Sequence, residues 1–196
     1  VIQRGDRVGL VGANGCGKST LIRMLNGELT PDQGEIVTGT RQEIAYFDQQ
    51  RAALDPEQSV SDTIADGREF VTINGRDVHV VGYLRKFMFS ADQARSPVRV
   101  LSGGEQNRLL LARLFSLPAN VLIFDEPTND LDVDSLELLE SLLIDYTGTV
   151  LMVTHDRTFL DHVVDTLLIF GEDGKITPFV GGFDDWVAAG GRFPES

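Results

Sequence analysis

Gly12-Ala-Asn-Gly-Cys-Gly-Lys-Ser19 carries the reading of this chain. The stretch fits G-x-x-x-x-G-K-[ST] at every fixed position. It follows a short apolar run at 8–11 and opens onto a helically spaced stretch at 18–25. Strand, glycine turn and helix form the setting in which this pattern holds phosphate. The glycines let backbone N–H groups turn inward around anionic oxygens, and the helix amino end adds positive potential. Lys18 is expected to reach the β- and γ-phosphates of a nucleotide, and the Ser19 hydroxyl to ligate Mg²⁺. The expected phosphate-binding set is Gly12, Asn14, Gly15, Cys16, Gly17, Lys18, Ser19 and Thr20. A flexible glycine turn with an exposed lysine is the other reading of these letters. The pattern arises by chance in roughly one such chain per hundred, and the flanking strand and helix make that reading the weaker one. Cys16 stands at a free position, where a spacer is expected rather than a redox switch.

Outward from the loop, two segment types alternate. Short runs rich in β-branched residues lie at 7–11, 43–47, 121–124, 149–154 and 166–170. Stretches with helical spacing lie at 18–25, 59–68, 103–115 and 133–144, the last with Leu136, Leu139 and Leu143 on one face. The alternation predicts an α/β fold: a P-loop NTPase with a mostly parallel sheet core flanked by helices. One stretch interrupts it. Residues 70–80 alternate around Asn74-Gly75, a strong hairpin signal, and 83–89 reads as a short helix. An inserted, mainly helical lobe with a β-hairpin is therefore expected at about 50–118, within a domain covering 1–180. The glycine-bearing run 181–196 predicts the start of a linker.

At 196 residues the chain is long enough for one self-supporting core. No transmembrane helix or signal peptide can be drawn from its short apolar runs. A single cysteine, Cys16, rules out an internal disulfide and suits a reducing, cytoplasmic compartment. Net charge is −13, from 30 acidic and 17 basic residues, which argues against gripping nucleic acid over the whole surface. The charge is uneven: 114–156 holds nine Asp and Glu with no Lys or Arg, whereas 1–30 holds four basic and two acidic side chains. Anion affinity is expected near the amino end. The first residue is Val1 rather than Met, which suggests a piece of a longer protein.

Val121-Leu-Ile-Phe-Asp-Glu126 reads as a buried strand ending in two carboxylates. Parallel strands deliver their terminal groups to the sheet's carboxyl edge, the edge at which the glycine loop also leaves its strand. Asp125 can support Mg²⁺ there, directly or through water, and Glu126 can polarise a water aimed at the γ-phosphate. Leu101-Ser-Gly-Gly-Glu105 precedes a further helix. Ser102 and Glu105 have capping-box spacing, an ordinary helix start. The two glycines weaken a helix and expose N–H groups, which suits a second phosphate contact, serving another nucleotide or another subunit.

In this order, the P-loop, Gln49, Leu-Ser-Gly-Gly-Glu, Asp125-Glu126 and His155 resemble an ATP-binding cassette ATPase domain over nearly the whole chain. Pro127-Thr-Asn-Asp-Leu-Asp132 resembles the ABC-F subgroup, whose members lack transmembrane domains. Ala45-Tyr-Phe-Asp-Gln49, the Asn74-Gly75 hairpin and Pro97-Val-Arg-Val-Leu-Ser102 together resemble the second cassette of Uup-like proteins. The resemblance implies ATP and Mg²⁺ as ligands. It also implies a second cassette as partner, within the same polypeptide or as a homodimer, pairing head to tail with ATP between the two. Gln49 would contact Mg²⁺ and the attacking water. Ser102, Gly103, Gly104 and Glu105 would face the γ-phosphate held by the partner. Asn129, Asp130 and Asp132 would couple the two sites, and His155 would hold the γ-phosphate. Catalysis would then rest on Glu126, His155 and Gln49, and metal binding on Ser19, Gln49 and Asp125. Gln49 as a strand-end polar residue, His155 as a turn histidine and Asp132 or Asp134 as a helix cap are the plainer readings. The family stacks adenine on an aromatic upstream of the P-loop, and none of the eleven residues before Gly12 is aromatic. The first strands and that aromatic are expected to lie outside the chain.

The resemblance further implies coupling of ATP turnover to work on ribosomes or branched DNA, through regions outside this chain and without membrane insertion. Two other functions stay open at this point. One is the ATPase subunit of a membrane ABC transporter; the other is an ATP-gated binding module with little turnover.

Overall fold

The computed structural model describes residues 1–47, 54–129, 131–171 and 173–192. In chain order the first elements are β1 (Arg7–Val11), α1 (Lys18–Leu25), β2 (Ile44–Phe47), α2 (Val60–Ala65), β3 (Phe70–Ile73), β4 (Arg76–His79), α3 (Val80–Arg85) and α4 (Ala91–Arg95). A 3₁₀ turn at Val98–Val100 leads to α5 (Gly103–Ser116), β5 (Val121–Asp125), α6 (Val133–Asp145), β6 (Thr149–Val153) and α7 (Arg157–Val163). β7 (Thr166–Phe170), β8 (Ile176–Val180) and α8 (Phe183–Ala188) follow. Two compact units share them, Val1–Phe47 with Ala119–Asn129 and Leu142–Ser196, and Asp48–Pro118 with Asp130–Ser141.

The first unit holds a six-stranded sheet in the order β2-β5-β6-β1-β7-β8. Every neighbouring pair is parallel except β7 and β8. The fold is thus the expected P-loop α/β architecture. The β-branched and aliphatic runs explain why. Strands covered on both faces need apolar residues at successive positions, and Thr149–Val153 is buried throughout. Val8, Leu10, Ile123, Leu151 and Val153 pack with Ile22 of α1 into one core cluster. Burial of each such side chain stabilises the fold by about 1.5–3 kcal/mol. That core fixes α1 against the sheet and hence the position of the loop between β1 and α1.

The second unit contains the hairpin and the short helices. β3 and β4 pair antiparallel with Phe70 opposite His79. Asn74 (φ 50°) and Gly75 (φ 76°) both take the left-handed conformation that a tight two-residue hairpin turn requires. The helix expected at 83–89 begins earlier and ends sooner. The His79 side chain accepts a hydrogen bond from Val81 N–H and starts α3 at Val80, and Met88 at φ 64° turns the chain out of the helix. Phe87 and Phe89 are still fully buried. The stretch 59–68 is likewise shortened to α2, capped by Ser59 and stopped by Asp66 and Gly67 in positive φ.

The carboxyl-terminal run departs from its composition. Glycine content predicts a linker from 181, but the structure carries α8 there, with Phe183 and Trp186 buried edge to face at 5.6 Å. Gly182 N–H donates to the Asp185 carboxylate, and the apolar rings, not the glycines, decide the local structure.

Candidate functional site

Sheet order assembles the site. β5, β6 and β1 are consecutive neighbours and all run the same way, so their carboxyl ends lie side by side. β5 delivers Asp125 and then Glu126. β6 is followed by Thr154 and His155, and β1 by the loop 12–19. One cleft is lined by Asn14, Gly15, Gly17, Lys18, Ser19 and Thr20 from the loop and the start of α1, and by Asp125 and Glu126 from the end of β5 and the residue after it.

The loop's glycines are sterically fixed. Gly17 caps α1 at φ 107°, a conformation strained for any residue with a Cβ. At Gly12 a Cβ would stand 2.7 Å from Cys16 Sγ and 2.7 Å from Phe170 Cβ. The thiol of Cys16 is therefore turned back over Gly12 rather than lining the cleft. Lys18 is only 7% exposed, and its Nζ donates to the carbonyls of Gly12 (2.8 Å) and Ala13 (2.9 Å). An ammonium has three donors, so among the described residues one remains for an anion within the loop. Ser19 and Thr20, by contrast, are exposed at the start of α1.

On the opposite wall Asp125 Oδ2 accepts from the Tyr46 hydroxyl at 3.3 Å. Nothing in the sequence singled out Tyr46. Its position on β2, one strand over and two residues back in register from Asp125, is a signal that only strand pairing could give. Glu126 stands at φ 52°, with its N–H donating to Val153 O at 2.8 Å. A bulky residue in that conformation is uncommon and directs the side chain out of the strand's normal alternation. Glu126 Oε1 lies 3.3 Å from His155 Nε2, while Oε2 is buried with no hydrogen-bond partner among the described residues. His155 Nε2 also lies 3.0 Å from Asn14 Oδ1. Behind them the hydroxyls of Thr128 and Thr154 are 2.8 Å apart and tie the ends of β5 and β6 together.

The second unit holds the other glycine pair. Ser102 and Glu105 form the full capping box of α5. Glu105 N–H donates to Ser102 Oγ at 3.3 Å, and Ser102 N–H donates to Glu105 Oε2 at 2.8 Å. Gln93 of α4 adds a bond to Glu105 Oε1 at 2.6 Å. These donors, those of Ser102 first, hold the Glu105 carboxyl below the usual carboxylate range. Gly103 is exposed beside Ser102. Asp132 Oδ1 accepts from Ser135 N–H at 2.9 Å, so Asp132 does cap α6, and its carboxyl is held low chiefly by Ser135. Gln49 and Asp130, two expected site residues, lie outside the described residues.

The donor set suits a hard cation. Ser19 and Asp125 line the same cleft and offer oxygens only, and Mg²⁺ is commonly held by one or two protein oxygens together with substrate phosphates. Among the described residues no helix is long and apolar enough to cross a membrane.

Comparison with protein families matches residues 1–129 to the family described as ABC transporter. The chain belongs to that family. Within it, the cassette is Uup-like: it is 55% identical over 184 residues to the ATP-binding protein Uup of Escherichia coli (strain K12), covering 94% of this chain and 29% of that protein. It is 40% identical to the energy-dependent translational throttle protein EttA of Haemophilus influenzae, covering 94% of this chain and 33% of that one. The cassette thus spans about three tenths of the length of these relatives. Among solved structures it resembles the complex of the archaeal ribosomal stalk protein aP1 with the archaeal ribosome recycling factor aABCE1. There the TM-score is 0.70 and the identity 29%, over 96% of this chain and 37% of that one. It also resembles an inward-facing metal-chelate type ABC transporter, with TM-score 0.69 and 27% identity over 94% of this chain and 74% of that one.

Proposed function

We propose that this cassette binds and hydrolyses ATP as one half of a head-to-tail pair, within a Uup-like ABC-F protein whose turnover is coupled to work on the ribosome. The observation that carries the reading is the cleft that Lys18 and Ser19 of the loop line together with Asp125 of β5 and Glu126 just after it, with one Glu126 oxygen buried and without a hydrogen-bond partner among the described residues. A buried carboxylate oxygen without a donor is a destabilised group, and a water molecule bound beside the γ-phosphate would satisfy it.

In this reading the N–H groups of 12–19 and Lys18 grip the phosphates. Ser19, Asp125 and Gln49 would hold Mg²⁺, which supplies charge neutralisation on the β- and γ-oxygens. Glu126 accepts a proton of the attacking water and aligns its oxygen with the γ-phosphorus. The new P–O bond forms as the bond to the β–γ bridging oxygen breaks, giving ADP and phosphate. His155 Nε2, placed between Asn14 Oδ1 and Glu126 Oε1, would in its Nε2–H form donate to a γ-phosphate oxygen. Ser102, Gly103, Gly104 and Glu105 present the amino end of α5 to the nucleotide on a second cassette, and Asn129, Asp130 and Asp132 would couple the two sites. The domain reading goes with it: a cassette over 1–180, a lobe inserted at about 50–118, and a tail that opens with α8.

EttA and aABCE1 are by name a translational throttle and a ribosome recycling factor, which supports the ribosome as target over branched DNA. The acidic balance of this chain agrees with a contact made through regions outside it, whichever of the two is the target. The test is association of the full-length protein with ribosomes and with branched DNA, with and without ATP. ATP-dependent retention on ribosomes is expected. Retention on branched DNA alone would move the target, and no ATP dependence on either would remove the coupling.

A further inference from the structure

We propose that Arg108 is a positioning residue, whose guanidinium keeps the Asp132 carboxylate seated against the first turn of α5, so that the Ser102–Glu105 face and the residue that starts α6 travel as one piece. The inference rests on the paired-cassette reading above.

Three features meet at Arg108. A Cβ on Gly104 would collide with Asp132 Oδ2. The glycine thus leaves room for a carboxylate laid directly on the helix start, a requirement separate from any need for bare N–H groups. Second, Arg108 Nη1 stands 3.9 Å from Asp132 Oδ2, an ion pair beyond hydrogen-bond distance, with the Arg108 side chain only 13% exposed. Third, Arg108 Nε is buried and has no acceptor among the described residues. The Arg108 charge acts on two carboxylates, Asp132 and Glu105, and lowers both. An arginine so enclosed, with a spare donor and a loose ion pair, has room to tighten onto Asp132. Asp132 Oδ1 is fixed by Ser135 N–H, and Glu105 is fixed by Ser102 and Gln93. Arg108 is therefore the link between two rigidly capped helix starts, α5 and α6.

Such a link affects turnover rather than nucleotide capture, because Lys18 and its loop belong to the other compact unit. The experiment is steady-state ATPase kinetics on the full-length protein bearing Arg108→Gln, Asp132→Asn, both together, and Arg108→Lys, with unfolding midpoints recorded for each. Arg108→Gln is expected to lower kcat roughly tenfold with KM for ATP unchanged. The double variant should be no worse than the more impaired single variant, and Arg108→Lys should regain part of the loss. Independent, multiplying losses would overturn the proposal, as would parental kcat in Arg108→Gln. If Arg108→Gln fails to fold, Arg108→Lys and Asp132→Asn carry the test: both must lower kcat at unchanged KM, and parental kcat in either overturns it. A parent without ATP turnover would overturn the paired-cassette reading as well; turnover that is indifferent to Arg108 would overturn this inference alone.

Discussion

His155 Nε2 lies 3.3 Å from Glu126 Oε1, and the two residues reach each other from the ends of adjacent parallel strands. One ring nitrogen therefore touches the acidic wall of the cleft and, through Asn14, the phosphate loop. With Nε2 protonated, its single N–H is shared between two acceptors that a bound γ-phosphate would replace.

Removing that nitrogen should affect chemistry more than binding. His155→Ala is expected to lower turnover about a hundredfold, while ATP affinity changes by no more than about threefold. Equilibrium binding of a fluorescent ATP analogue, measured beside steady-state phosphate release, separates the two effects. A parallel loss of both would assign His155 to binding.

Gly17→Ala places a Cβ at φ 107° and forces either about 1–3 kcal/mol of strain or a rearranged loop. Since about 1.4 kcal/mol is tenfold in an equilibrium constant, ATP affinity should fall roughly five- to 150-fold. Isothermal titration with Mg·ATP checks this, and unchanged affinity would mean that the loop does not hold phosphate in this shape.

The sequence showed the site's parts better than their couplings. Strand periodicity, the glycine loop and the Asp125-Glu126 strand end are local signals, and the sheet brings them to one edge because all the strands concerned are parallel. The capping box of Ser102 and Glu105 was equally legible, being an i, i+3 relation. Tyr46 on Asp125, Arg108 on Asp132 and Asn14 on His155 were not, because each joins residues far apart in sequence through strand order or side-chain reach. Short helices misled for another reason. α2 is stopped at Asp66 and the chain beyond α3 turns away at Met88, single residues with positive φ that composition does not reveal. Likewise α8 forms on two buried aromatic rings inside a run whose glycines suggested a linker.

Core packing in the second unit gives a stability prediction. Leu139 of α6 is fully buried, and Leu139→Ala should cost about 2–5 kcal/mol through lost burial and the cavity left behind. A lowered urea midpoint at an unchanged slope is expected. A midpoint within error of the parent would mean that α6 is not packed as described.

Acid should act on the α5 cap in one direction. Glu105 is held below its ordinary value of 4.5 in the folded protein by Ser102. Its charged form thus contributes stability that is present at pH above 4.5 and is lost as pH falls through the lower folded value. Against Glu105→Gln, the parent's advantage in unfolding midpoint should be level at neutral pH and shrink only below that range. An advantage that grows on acidification would reverse the sign and contradict the capping geometry.

The most direct measurement is single-turnover hydrolysis by the full-length protein carrying Glu126→Gln, with bound ATP and released phosphate counted together. The variant should bind ATP as the parent does while the hydrolysed fraction drops by this site's share, the slowed step falling about a hundredfold or more. Parental hydrolysis at this site with Glu126 replaced would contradict the central claim that this carboxylate, set at the end of β5 beside Lys18 and His155, directs the attacking water.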